Sequence, residues 1–296
     1  MQKVGKTYYR DRNSELVERR QTMKTYFNEQ SHVDVLWEEG YTGKRVKVGI
    51  VDTGISASEI TKIKKNIVCG HNFSLDGSPR NDFTSSTHHG YVVASLVLSV
   101  APKAKLVIAK VLDDEGMGNP RRTARGIRYC IDKKCDIINC SIAGPPDKEL
   151  ERAINEAYDK GIIVVAATGN DGKNTINYPE GYMRCLSVGS ISKDYHRSEF
   201  SNYNAFMTLL APGENISFKV NNEEIIDSGT SYSAPLVSGT LALLKEKLKC
   251  ELGRKPKYDE IHAMLVKNCV IANNIKMIEQ GCGYLDFEAK DWEAIL

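Results

Sequence analysis

No run in the 296 residues reaches the roughly 18 consecutive apolar positions that a membrane-spanning helix needs. Charge of one sign is also missing. Forty Lys and Arg stand against 38 Asp and Glu, a net charge of +2, so nothing in the balance calls for nucleic acid or an anionic membrane as partner. The opening MQKVGKTYYRDRNSELVERRQTMKTYF lacks the apolar core of a secretory signal. As written the chain reads as cytoplasmic, with a trimmed secreted precursor as the alternative. Eight cysteines are present but no CxxC pair. Cys130, Cys135 and Cys140 are five apart, a spacing that does not share a helix face, which argues against a zinc site. Most cysteines sit inside apolar runs such as CDIINC. A chain this long needs no covalent staples, so they read as buried free thiols.

What is present is an ordinary globular composition, 41% hydrophobic and 26% charged, on a chain long enough for one large α/β domain. Residues 1–31 are polar, with seven Lys or Arg and four Asp or Glu, and SELVERRQTMKTYF has some helical character. They read as an N-terminal extension ahead of a domain at 32–296: a short inhibitory peptide, a processed remnant, or a segment without a role. From Val46 the texture changes. RVKVGIVD is a β-branched run ending in Asp-Thr-Gly, the pattern of a buried strand with a loop at its carboxyl end. Further strands are expected at 104–112, 136–141, 161–170 and 184–191. Helices are expected at 90–100, 121–134, 147–160, 231–248 and 257–268. Alternation of apolar strands with helices predicts a mostly parallel sheet covered on both faces, a three-layer α/β/α sandwich. In such sheets chemistry gathers at the carboxyl ends of strands.

Four short segments carry candidate chemistry, and each has a plain structural reading. Asp52 ends the first apolar strand; a buried carboxylate needs a partner, or it caps a turn. His89 stands between His88 and Gly90 at a helix start, placed for reach or simply satisfied there. Ser231 opens an apolar helix, whose N-terminus stabilises negative charge and would help an oxyanion form, although a serine there can also be a cap. Asn170 follows a buried strand in Ala-Thr-Gly-Asn-Asp-Gly, where its amide can donate to an oxyanion or its backbone can serve a turn.

In order and context these segments resemble the subtilases. VDTG, HHG, ATGN and GTSYSAP are similar to that family's DTG, HGTH, AAGN and GTSMASP signatures, and the likeness runs from about Val33 to about Ala289 through NCSIAGPP, LLAPGENI and GCGYLD. The resemblance implies a subtilisin-like fold and a serine endopeptidase. Ser231 would be the nucleophile, His89 the general base and acid, Asp52 the group that orients His89, and Asn170 an oxyanion donor. Ser141, Ile142, Ala143 and Gly144 would pair with an extended polypeptide substrate. Ala143, Gly144, Ala167, Thr168 and Gly169 would wall the pocket for the residue before the cleaved bond. Asp171 and Asn177 match its rim and base, so that an acid there would favour a basic or polar residue.

The pattern also departs from the family. HGTHVAG reads here as HGYVVAS, and Tyr232 and Ser233 follow the nucleophile. His89 and Pro102 are only 13 positions apart, which leaves out the loop by which many members help bind a structural calcium; the chemistry itself calls for no cofactor. The acidic run Asp113, Asp114 and Glu115 reads as a solvated turn. The altered residues around His89 and the cysteine content favour a specialised processing protease that cleaves a precursor or leader peptide over one of general intracellular proteolysis. A non-catalytic binding relative and an acyl transferase to amines are the competing readings.

Overall fold

The computed structural model describes residues 23–221 and 223–289. The elements run β1 (Met23–Lys24), α1 (Phe27–Ser31), α2 (Asp34–Glu38), β2 (Lys47–Asp52), α3 (Ala57–Ile63), β3 (Ile67–Asn72), α4 (His89–Val100), β4 (Lys105–Lys110), α5 (Pro120–Asp132) and β5 (Ile137–Cys140). They continue with α6 (Lys148–Asp159), β6 (Ile163–Ala167), β7 (Cys185–Ile191), β8 (Leu209–Pro212), β9 (Ile216–Val220), β10 (Glu223–Asp227), α7 (Thr230–Leu252), α8 (Tyr258–Lys267), β11 (Cys269–Val270) and β12 (Tyr284–Leu285).

Nine strands form one sheet in the order β11-β12-β8-β7-β6-β5-β2-β4-β3. Every neighbouring pair is parallel except β11 with β12. The inner strands are apolar because both faces are covered: β6 and β7 are buried at every position. Helices α5 and α6 pack on one face over Val51, Val107, Ile138 and Val164. Helices α4 and α7 cover the other over Val48, Ile50, Leu106 and Val165. The result is the three-layer sandwich expected, with α4 crossing α7 closely: a side chain at Gly239 would set its Cβ 2.7 Å from Val100 Cβ.

Local signals account for the helix ends. Asn119 caps α5 through Arg122 N–H (3.0 Å) with Pro120 as its first residue, and Asp147 caps α6 through Glu149 N–H (2.8 Å).

Two sequence expectations change. The helical reading of SELVERRQTMKTYF falls partly outside the described residues, and within them Met23 and Lys24 form a strand paired with Phe218 and Ser217 of β9. The division at residue 31 also cuts through packed structure. Tyr26 and Phe27 are buried in the main core, and Gln30 donates to the Ser192 carbonyl at 2.8 Å. Apolar aromatics at those two positions, inside an otherwise charged segment, were the available signal. All eight cysteines are free thiols, as read; Cys250 is the exposed one.

Candidate active site

Strand β2 lies between β5 and β4, so the chain must leave it in one direction and return on both sides. That brings the carboxyl ends of β2, β5 and β6 together, and with them Asp52, Ser141 and the loop holding Asn170.

Asp52 is fully buried and its Oδ1 accepts from His89 Nδ1 at 2.7 Å and from Thr53 N–H at 2.7 Å. His89 is seated by its glycine. Gly90 N–H donates to Thr53 Oγ1 (3.1 Å), and a side chain at Gly90 would put its Cβ 2.1 Å from the Gly54 carbonyl oxygen. Burial works against the imidazolium, but the charge and hydrogen bond of Asp52, helped by Asp227, outweigh it and hold the His89 pKa above its ordinary value. His88 turns the other way, its Nδ1 3.1 Å from the buried Glu59 carboxylate.

Ser231 is the second residue of α7, so its N–H is among the four without a helical acceptor. Its hydroxyl donates to the Ser141 carbonyl at 3.5 Å, a long contact, and not to His89. The Ser231 carbonyl has an unusual partner. Pro235, four residues on, has no N–H to give it, and Ser141 Oγ donates instead at 2.9 Å. Ser141 Oγ accepts from Asn139 Nδ2 (3.0 Å), and Asn139 Oδ1 accepts from Ser238 Oγ (2.9 Å). A buried chain of hydrogen bonds thus ties the start of α7 to the end of β5.

Asn170 is exposed, and its Oδ1 accepts from both the N–H and the hydroxyl of Thr230, each at 2.9 Å. With the oxygen end fixed, the amide nitrogen is turned outward beside Gly229, where a Cβ would meet it at 3.3 Å.

Ser141, Ile142, Ala143 and Gly144 line a cleft of about 520 Å³ together with His89 and, opposite, residues 114–120. Tyr178 closes one side, its N–H bonded to the Gly144 carbonyl at 3.0 Å. Ala167, Thr168 and Gly169 do not line this cleft. They lie buried behind Asn177, whose amide donates to the Thr168 carbonyl at 3.0 Å. Asp171 does not line the cleft; it is exposed and its carboxylate accepts from Asn202 Nδ2 at 2.9 Å, so it is tied to its loop as well as open to solvent. Glu180 holds the Asn177 loop: burial pushes its carboxyl up, while it accepts from Asn177 N–H, Ser187 Oγ and Asn204 Nδ2.

Two further groups escaped the sequence reading. Asp114 is not merely a solvated turn residue. Lys110, buried at the end of β4, donates to Asp114 Oδ1 (2.9 Å) and the Thr84 carbonyl (2.8 Å) and pairs with Asp76 Oδ2 (3.0 Å). That ammonium joins the segment before His89 to the far wall of the cleft and holds the Asp114 carboxyl well below the usual range. Tyr232 Oη donates to Asp227 Oδ2 at 2.6 Å, and its ring lies 6.2 Å from that of His89. Asp114 is only four residues from Lys110 and Asp227 five from Tyr232, but Asp76 and the Thr84 carbonyl reach Lys110 from another part of the chain.

Residues 43–284 match the sequence model of the subtilase family, Peptidase_S8. The chain is 36% identical over 274 residues to the major intracellular serine protease of Bacillus subtilis (strain 168), an alignment covering 86% of this chain and 85% of that one. It is 38% identical over 261 residues to the intracellular serine protease of Paenibacillus polymyxa (82% and 80% covered) and 36% identical over 224 residues to subtilisin DY of Bacillus licheniformis (72% and 81%). Among solved structures, a lanthipeptide protease shares the fold with a TM-score of 0.77 at 20% identity, over 88% of this chain and 91% of that one. Among the described residues no helix is long and apolar enough to cross a membrane. With the sandwich, the buried Asp52–His89 pair and a serine at the head of α7 in place, this chain belongs to the subtilase family and is a serine endopeptidase.

Proposed function

We propose that Ser231 attacks the scissile carbonyl, with His89 taking its proton and later giving it to the leaving amine. The observation that carries this is the 2.7 Å bond from His89 Nδ1 to the fully buried Asp52. It fixes the tautomer that leaves Nε2 free to act as base, and Asp52 stabilises the imidazolium that forms. The 3.5 Å contact of the Ser231 hydroxyl is weak enough for it to reorient when substrate binds. The oxyanion is received by the Asn170 amide and the Ser231 N–H. The substrate polypeptide lies extended along Ser141–Gly144, its acyl side in the cleft. The test is labelling by a fluorophosphonate probe. Wild-type protein labels and Ser231→Ala does not; absence of labelling in the folded wild type refutes the assignment.

Within this reading the enzyme is a processing protease that acts on a precursor or leader peptide inside the cell. Its support is a cleft walled on both sides, two similar proteins named as intracellular, a fold shared with a lanthipeptide protease, and eight free thiols. We also infer that no calcium is needed behind the active-site histidine, since α4 runs straight into the turn at Ala101, whose N–H bonds the Val97 carbonyl at 2.8 Å. Activity that falls on chelation and returns with calcium would contradict this.

A further inference from the structure

Tyr178 closes one side of the cleft beside Ser231. The same tyrosine forms the near wall of a second, wider groove of about 1190 Å³. The path between the two is a stretch of backbone. Ser141 touches the Ser231 hydroxyl, residues 141–145 border the first cleft, and Pro146 begins the second. At about 3.3 Å per residue, an extended peptide covers the five steps from Ser141 to Pro146 in about 16 Å.

The second groove is built of aromatic surface held in place. Tyr178 and Tyr182 lie with ring centroids 4.6 Å apart, and the Tyr182 hydroxyl is clamped by Asp147, accepting from its N–H and donating to its carbonyl, both at 2.9 Å. Facing them, Tyr158 and Tyr258 are 4.7 Å apart and His262 stacks on Tyr258 at 5.8 Å. Met183 stands in the groove 90% exposed, the most exposed large apolar side chain among the described residues. Aromatic and apolar side chains gathered in an open groove mark a binding site; here they alternate with charged ones, and the Arg184 guanidinium lies over the Tyr158 ring at 4.5 Å. The groove's acids, Asp147, Glu151 and Asp259, are nearly balanced by Lys148 and Arg184, so charge does not select the ligand.

We propose that this groove is an exosite for the substrate polypeptide itself, taking the segment roughly six to ten residues before the cleaved bond, in extended form, with aromatic or aliphatic side chains set against Tyr158, Tyr182, Met183 and Tyr258. This rests on the reading above that Ser141–Gly144 binds the acyl side, which sends the upstream residues toward Pro146. The occupant is the same chain that fills the first cleft because the two grooves share a wall and follow one strand. The enzyme therefore reads a recognition segment as well as a cleavage site, which suits a precursor with a leader.

The experiment uses two fluorogenic peptides with identical residues around the cleaved bond. One begins five residues upstream of that bond. The other extends to twelve and carries Leu or Phe at positions six to ten. Wild-type enzyme should show a kcat/KM ratio of long to short peptide of roughly ten to a hundred, expressed in KM. In Met183→Asp the ratio should fall to near one. Equal rates for both peptides in the wild type, or a ratio that Met183→Asp leaves intact, overturns the exosite alone. Cleavage of neither peptide, with no fluorophosphonate labelling, overturns the catalytic reading and the exosite with it. A concentration-dependent dimer that Met183→Asp dissolves, with a ratio of one, would assign the groove to a second copy of the chain and also overturn the proposal.

Discussion

Ser141→Ala cuts the hydrogen-bond chain that holds the head of α7. Two groups lose a partner: the Ser231 carbonyl and the fully buried Asn139 amide. Leaving a buried polar group unpaired costs about 1–3 kcal/mol, and the Ser231 carbonyl, only partly buried, falls at the lower end. The sum is about 2–4 kcal/mol. At about 2.1 cal/mol/K per residue, roughly 0.6 kcal/mol/K for a domain of this size, that lowers Tm by roughly 3–6 °C. Pro235 makes the reasoning testable. The carbonyl depends on Ser141 only because Pro235 has no N–H. Pro235→Ala supplies one, worth about 1 kcal/mol, less some loss from a more flexible unfolded chain. The double variant Ser141→Ala/Pro235→Ala should therefore be more stable than the two single losses added together, by about 1 kcal/mol. Thermal and urea unfolding of the four proteins give the cycle. Because the same bonds fix the backbone of Ser231, the proposed nucleophile, kcat should recover in parallel. Additivity within about 0.3 kcal/mol would refute the account of Pro235.

The other predictions are briefer. Asn170→Ala should lower kcat about 100- to 1000-fold with a smaller change in KM, and Thr230→Val, which removes one of the two bonds fixing the amide, should give an intermediate loss; steady-state kinetics decide. Asp227→Asn should move the acid limb of the kcat/KM profile to lower pH. The raised His89 pKa means the base is lost as pH falls through a value above the ordinary 6.5, and removing one of the negative charges that raises it lets the imidazole stay neutral to a lower pH. An unmoved limb would show that Asp227 does not act on His89. Lys110→Ala strands Asp76 and Asp114. Both retain some water contact, so the loss should be about 2–4 kcal/mol in denaturant unfolding, below that of a fully buried pair.

Much of this site was legible because its members stand where an apolar run meets a glycine. Asp52 closes β2 before Gly54, His89 opens α4 before Gly90, and Asn170 follows Gly169. Gly90 is there for contact, since it packs on the Gly54 carbonyl, a closeness that only the fold reveals. The specificity residues were less legible. Neither Asp171 nor Asn177 lines the cleft, and what they do is set by Asn202 and the Thr168 carbonyl, which approach from other parts of the chain. Tyr26 and Phe27 were read as part of a polar extension because a short apolar pair gives no periodicity; their place in the core is what the fold adds.

The sequence by itself carried the layers, because apolar strands must be covered on both faces. Asp52, His89 and Ser231 each had a plain structural reading alone, and it was the order of their motifs, in its resemblance to the subtilases, that marked them as a proposed site. The tertiary structure alone decided which strand lies between which, since pairing order depends on contacts far apart in the chain. It also decided that Ser141 replaces a missing helical N–H, that Lys110 bridges two loops, and that Tyr178 walls both the cleft and a second groove. Each of these joins residues from separate elements, and no period or motif within one element encodes such a meeting.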